Sequence, residues 1–255
     1  QMALSKIDVA NMVTGAVPVA NGGTALTSGF VNGSDPRPLS KPIIVNGDCS
    51  VSQRGTANTD ESSSGIYRVD RMNVGLSSIG EFRLSQETLT SGNAYNAGFK
   101  KAFRIDCAVA DASPAASDIA NMTYKMEGNT VQAFKKGTAN AEKSTLAFYV
   151  KCSKTGTAQV NLIDSDNSRM VSGTYTISSA NTWEYKTLTF AAGTTASDYI
   201  NLDSGTGIDM YFCGGAGSNF TTGTLPQTWS AYYNADFLAG QTAQLQNTVN
   251  STWQI

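Results

Sequence analysis

From Ile43 onward, apolar and polar residues alternate in short runs with a period of two. In "STLAFYVKC", Leu146, Phe148, Val150 and Cys152 share one face and Ala147, Tyr149 and Lys151 the other. That alternation is the mark of a half-buried β-strand. "FKKAFRIDC" puts Phe99, Phe103, Ile105 and Cys107 in phase, and "GIDMYFC" does the same for Ile208, Met210 and Phe212. "AQVNLID", "GTYTIS" and "WEYKTLTF" follow suit, with turn-forming clusters such as "SKTGT", "DSDNSR" and "SSANT" between them. Strands at this spacing, without long amphipathic helices between them, predict an all-β fold: an antiparallel jelly-roll β-sandwich. One helical insertion is expected at residues 129–137, where Val131, Phe134 and Lys135 have helical spacing and Gly137 follows as a cap.

The pattern ahead of Ile43 is different. Residues 2–13, "MALSKIDVANMV", partly follow helical spacing, but a helix so short needs a partner to be stable in water. "VPVANGGTALTSGF" (17–30) has no charge, and "NGSDPRPLSKP" (32–42) carries three prolines. The expected organisation is an extended N-terminal arm and stem over residues 1–42 and a sandwich domain over 43–255. Met2, behind Gln1, is the expected natural start.

Composition narrows the function. Of 255 residues, 15% are charged and the net charge is -2, with no clustered basic surface beyond "FKKAFR", so nucleic acid is not an expected partner. No apolar run is long enough to cross a membrane, and the N-terminus lacks the layout of an export signal, so neither membrane insertion nor secretion is expected. Cys49, Cys107, Cys152 and Cys213 are too widely spaced for a zinc knuckle and sit in alternating apolar runs, which predicts buried, reduced core residues. The chain has no histidine, which removes the commonest general base and metal ligand. No cofactor or metal is expected.

Candidate chemistry is sparse. Asp164, Asp166 and Asn167 resemble part of a calcium loop, but the glycine and closing glutamate of an EF-hand are missing, so a hairpin turn is the expectation. Glu184, beside an aromatic in "TWEYK", is expected on a solvent face. Aromatic residues offer more: Trp183, Tyr185, Trp229, Tyr232 and Tyr233 provide flat surfaces on which sugar rings stack, while Asn, Gln and Asp bond the hydroxyls. "TWSAYYNAD" combines both, so Trp229, Tyr232 and Tyr233 are the candidate carbohydrate-binding residues. The competing assignment for them is packing in the core or at a subunit interface.

Several segments, in order along nearly the whole chain, resemble the jelly-roll, carbohydrate-binding-module-like domains of bacteriophage tail fibres and related virion proteins. They are "VTGAVPVANGGTALTSGF", "IIVNGDCSVSQRGT", "YRVDRM", "DCAVADASPAASD", "YKMEGNTVQAFKKGTANAEKSTLAFYVKCSKTGT", "YTISSANTWEYKTLTF", "AGSNFTTGTLPQTWSAYYNADFLAGQ" and the closing "TWQI". The first is similar to a recurring fibre stem element, "PVANGGTG", with Ala25 in place of its last glycine. The resemblance implies a virion component without catalytic residues, commonly a homotrimer, assembled in the host cytoplasm and exposed on the particle. It implies attachment to other virion proteins through the N-terminal arm and contact with host cell-surface glycan. Family members usually run on past "WQI" into a last strand and tail, so truncation or processing at Ile255 is the expectation the resemblance implies. A tail fibre or spike is the first reading; a capsid decoration or head-fibre protein, or a free carbohydrate-binding module, are the alternatives. On the trimeric reading, Val17, Val19, Leu26 and Phe30 form the stem, three copies burying what one extended strand cannot.

Overall fold

The computed structural model describes residues 43–55, 59–243, 248–249 and 251–255. The arm and its stem residues Val17, Val19, Leu26 and Phe30 lie outside the described residues, as does the short helix expected at 2–13. Thirteen strands follow one another: β1 (Thr59–Glu61), β2 (Ile66–Val69), β3 (Met72–Ser77), β4 (Glu81–Thr88), β5 (Lys101–Val109), β6 (Ile119–Glu127), β7 (Ser144–Cys152), β8 (Gly156–Asp164), β9 (Arg169–Ile177), β10 (Glu184–Phe190), β11 (Thr206–Ala216), β12 (Ser230–Ala231) and β13 (Thr252–Gln254). They form two antiparallel sheets, one of six strands in the order β1-β4-β5-β13-β7-β10 and one of seven in the order β12-β9-β8-β11-β6-β3-β2. The expected all-β sandwich is the fold observed.

The period-two pattern does the sorting. Val150 and Cys152 of β7, Phe103, Ile105 and Cys107 of β5, and Ile208, Met210 and Phe212 of β11 all point into one core between the sheets. Aromatic rings tie the two layers together. Phe148 meets Tyr175 and Phe212 edge-on, with centroids 5.1 and 5.3 Å apart, and Phe212 lies 5.5 Å from Trp253. All four cysteines are buried and none is in a disulfide. Phe99 leaves the pattern expected of it: β5 begins at Lys101, and Phe99, 37% exposed, lies outside the core.

The expected helical insertion is shorter than its sequence span. A single turn at Gly128–Val131 passes into a 3-10 turn at Gln132–Phe134, and Lys135 takes the left-handed conformation (φ 50°) that ends it. Lys135, not Gly137, is therefore the terminating residue.

Each sheet treats its outer face differently. On the seven-stranded sheet, Gln159 and Asn161 of β8 point away from the core yet are fully buried, because the segment around residues 218–243 covers them. Burying amides requires that they be hydrogen-bonded, and these are. Gln159 Nε2 donates to the Asp236 and Phe237 carbonyls, Asn161 Nδ2 donates to the Phe237 carbonyl, and Gly240 N–H donates to Gln159 Oε1. On the six-stranded sheet, the loop after β4 folds its short helix (Asn93–Asn96) over β5, packing Leu89 and Ala94 on Ala102 and Trp183.

"TWQI" itself supplies β13. It pairs with β5 through Thr252–Asp106, Trp253–Ile105 and Gln254–Arg104, and with β7 through Trp253–Cys152 and Gln254–Lys151. Trp253 points into the core, and Thr252 Oγ1 donates to Asp106 Oδ1 at 2.6 Å. Replacing Trp253 with Ala removes the ring from that core and should cost about 3–5 kcal/mol, whereas Thr252→Val, losing one hydrogen bond near the surface, should cost about 1 kcal/mol. Urea unfolding of the two variants measures the difference.

Candidate functional site

A group of aromatic rings lies on the outer face of β7 and β10. Antiparallel register places Tyr149 directly opposite Tyr185, Ala147 opposite Thr187, and Thr145 opposite Thr189. Alternation turns all six away from the core. The Tyr149 and Tyr185 rings lie 5.1 Å apart at 51°, and Phe99 extends the group at 5.7 Å from Tyr149. Tyr185 is 57% exposed. Trp183 closes one end, buried against Leu89 and Ala94, with its backbone carbonyl accepting from Asn93 Nδ2. Gly92 makes that closure possible: at φ 93° it sits so near the indole that a Cβ would lie 2.9 Å from Trp183 Cδ1. Farther along, the Thr145 and Thr189 hydroxyls are bonded to each other at 3.0 Å.

The aromatics of "TWSAYYNAD" are arranged otherwise. Trp229 is half-buried, donates through Nε1 to the Ala191 carbonyl, and has one face occupied by the Lys136 ammonium, 3.1 Å from the ring centroid. Tyr232 packs edge-on against Phe237 and donates its hydroxyl to Asn234. Tyr233 alone of the three is well exposed, at 63%. The structure gives each a separate surrounding. Sequence reasoning named Trp183 and Tyr185 and placed Tyr149 on the outer face of its strand, but the pairing of Tyr149 with Tyr185 depends on a register that sequence does not show.

Glu184 is a correction. It shares a face with Leu188 and Phe190, which are buried, so it points toward the core side and not to the solvent face. Its carboxylate accepts from the Ser178 and Ser179 amides and from Lys186 Nζ at 2.6 Å. A turn that loops back over the end of β10 supplies these donors.

Charged groups converge at the end of the sandwich where β8 turns into β9. Asp164 is fully buried and Oδ1 accepts from the Asp166 and Asn167 amides, so "DSDN" is the hairpin turn expected. Lys136 Nζ lies 3.8 Å from Asp164 Oδ2, makes no hydrogen bond, and is nearly inaccessible. Arg169 Nε donates to Asp198, whose other oxygen accepts from the Thr195 hydroxyl. Burial pushes Lys136 down to about 8, with Asp164 and Asp198 pulling it up and Arg169 adding to the fall. Burial raises Asp164, while for Asp198 the hydrogen bonds from Thr195 and Arg169 outweigh burial and hold the carboxyl below its usual range. Among the described residues, no group of His, Cys, Asp and Glu is arranged to hold a metal, and no helix is long and apolar enough to cross a membrane.

A lysine depressed in the folded state makes stability depend on alkaline pH. Between about pH 8 and 10.5 the unfolded chain holds a proton that the folded chain has released, so this group's contribution rises with pH across that window. Relative to Lys136→Met, which lacks the titration, the wild type should gain as much as about 3 kcal/mol over the window. Denaturant midpoints of both proteins at several pH values check this, the buried cysteines and tyrosines cancelling in the difference.

No family model matches the chain, and no curated protein matches it. Among solved structures it is similar to tailspike protein 4 of bacteriophage CBA120, with 15% identity and a TM-score of 0.34, over 59% of this chain and 20% of that one. The match thus spans about a fifth of the tailspike chain. That structure is described as an enzymatically active domain. Its description overturns the expectation that a chain of this kind is not an enzyme, and that expectation is withdrawn. The carbohydrate-binding-module component of the sequence resemblance has no counterpart in these comparisons.

Proposed function

We propose that the chain is a bacteriophage virion protein, a trimeric tail-fibre or spike component that displays its β-sandwich for attachment to host-surface glycan. The observation that carries this reading is the outer face of β7 and β10, where Tyr185, 57% exposed, stands opposite the half-buried Tyr149 and beside the exposed Ala147, Thr145, Thr187 and Thr189 on regular strands. Sites on regular strands hold their geometry better than sites on loops. The ordered resemblance to phage fibre proteins supports the virion setting, and the uncharged "VPVANGGTALTSGF" supports a stem in which Val17, Val19, Leu26 and Phe30 meet around a three-fold axis.

Trimerisation is open to direct measurement. The full chain should sediment as a trimer at micromolar concentration. Val17→Asp with Phe30→Asp should convert it to a monomer whose sandwich melts within a few degrees of the original. A wild-type chain that stays monomeric would refute the stem. Labelling intact particles with antibody against the sandwich should mark the tail; label spread over the capsid would instead select the decoration protein.

A further inference from the structure

We propose that the outer face of β7 and β10 seats an acidic polysaccharide, one whose sugars carry carboxylates. The inference rests on the glycan-attachment reading and names the ligand class and the residues. Along β7 the outward residues are Thr145, Ala147, Tyr149 and Lys151, and the exposed Lys143 immediately precedes the strand, so a lysine stands toward each end of the strip, roughly 26 Å apart at the rise of a strand. Along β10 they are Tyr185, Thr187 and Thr189. None of these carries a negative charge. The two glutamates nearest in sequence are already engaged, Glu142 by Lys135 at 3.0 Å and Glu184 by Lys186 at 2.6 Å. Neither Lys143 nor Lys151 is held in an ion pair among the described residues, so both are available to an incoming anion.

The strip is graded for a sugar chain. Tyr185, 57% exposed, offers a ring face against which the C–H side of a pyranose packs, with the half-buried Tyr149 held beside it. Ala147, exposed and small, leaves a shallow step beside them. Thr145, Thr187 and Thr189 then offer hydroxyls that both donate and accept, as sugar hydroxyls require. Carboxylates along the chain meet Lys143 and Lys151, giving long-range attraction that salt screens. A neutral glycan would use the rings and hydroxyls but leave both lysines without a counterion, and a basic peptide would be repelled by them.

The test uses the full-length protein, with hexagalacturonate as the acidic probe and a neutral galactose hexasaccharide of the same length. Calorimetry should show the acidic probe binding more tightly, with an affinity that falls as salt rises. Tyr149→Ala with Tyr185→Ala should weaken it by about tenfold or more. Lys143→Gln with Lys151→Gln should flatten the salt dependence and bring the two probes together. Tyr185→Ser, at an exposed position, serves if the double tyrosine variant melts early. Equal binding of the two probes overturns the acidic preference. Unchanged binding in the tyrosine variants overturns the site while leaving glycan attachment intact. Loss of the trimer in those variants makes the strip a contact between copies and overturns the proposal. If neither probe binds but the protein still adsorbs to the cells on which its phage grows, the ligand class fails alone; if it does not adsorb at all, the attachment reading fails with it.

Discussion

The six-stranded sheet is one sheet because of three residues at the C-terminal end of the chain. β1, β4 and β5 form one antiparallel block and β7 and β10 another, and β13 is what lies between them. It runs antiparallel to both neighbours, so β5 and β7 are parallel to each other and have no hairpin to join them. Its hold is reinforced on each side of the sheet. Trp253 plugs the core against Phe212, while Thr252 donates to Asp106, whose other oxygen takes Arg104 Nε at 2.8 Å. Ile255 continues the pairing, exchanging two backbone hydrogen bonds with Phe103. The core side of the sheet and the alignment of β7 with everything upstream both follow from this joint.

Such a joint has a kinetic consequence. The contact between Thr252 and Asp106 spans 146 residues, so the loop it closes contains most of the sandwich. The β4–β5, β8–β9 and β7–β10 pairings can form from nearer neighbours, but the sheet cannot close until β13 docks between β5 and β7. Until then Phe103, Ile105 and Val150 have strand edges and apolar faces open to water.

Much of this fold was legible because alternation reports which face is buried, and burial on one face is what a sandwich demands. Leu146, Phe148, Val150 and Cys152 illustrate it, as do Ile208, Met210 and Phe212. Alternation fails where a second layer covers the outer face. In "AQVNLID" the alternation turns Gln159 and Asn161 away from the core, and they are buried because residues 236–240 lay their backbone carbonyls and amides against them. It also misleads when the frame is read from the wrong neighbour. Alternation read along "TWEYK" puts Glu184 on a solvent face, whereas the phase set by Leu188 and Phe190 places it inward. The candidate site was half legible: Tyr149 on an outer face and Tyr185 as a sugar platform were both readable, but their opposition is a property of register, which no single strand encodes.

Coverage explains why the strip on β7 and β10 is where a ligand has room. The outer face of the seven-stranded sheet is sealed by a second, smaller cluster in which Phe237 meets Tyr211, Phe220 and Tyr232, and its buried amides fix that seal hydrogen bond by hydrogen bond. On the six-stranded sheet the loop over β5 packs on Trp183, where Gly92 makes its close approach. Past that indole, Phe99 from the same loop packs against Tyr149, while Tyr185, Ala147 and the threonines of the strip are exposed. Exposed aromatic rings carry a cost in water, since they bring apolar area without burying it. Tyr185 is nonetheless left 57% exposed on this face, where the strands hold it rigid and a chain lying along β7 would meet Lys151 toward one end and Lys143 just before the other.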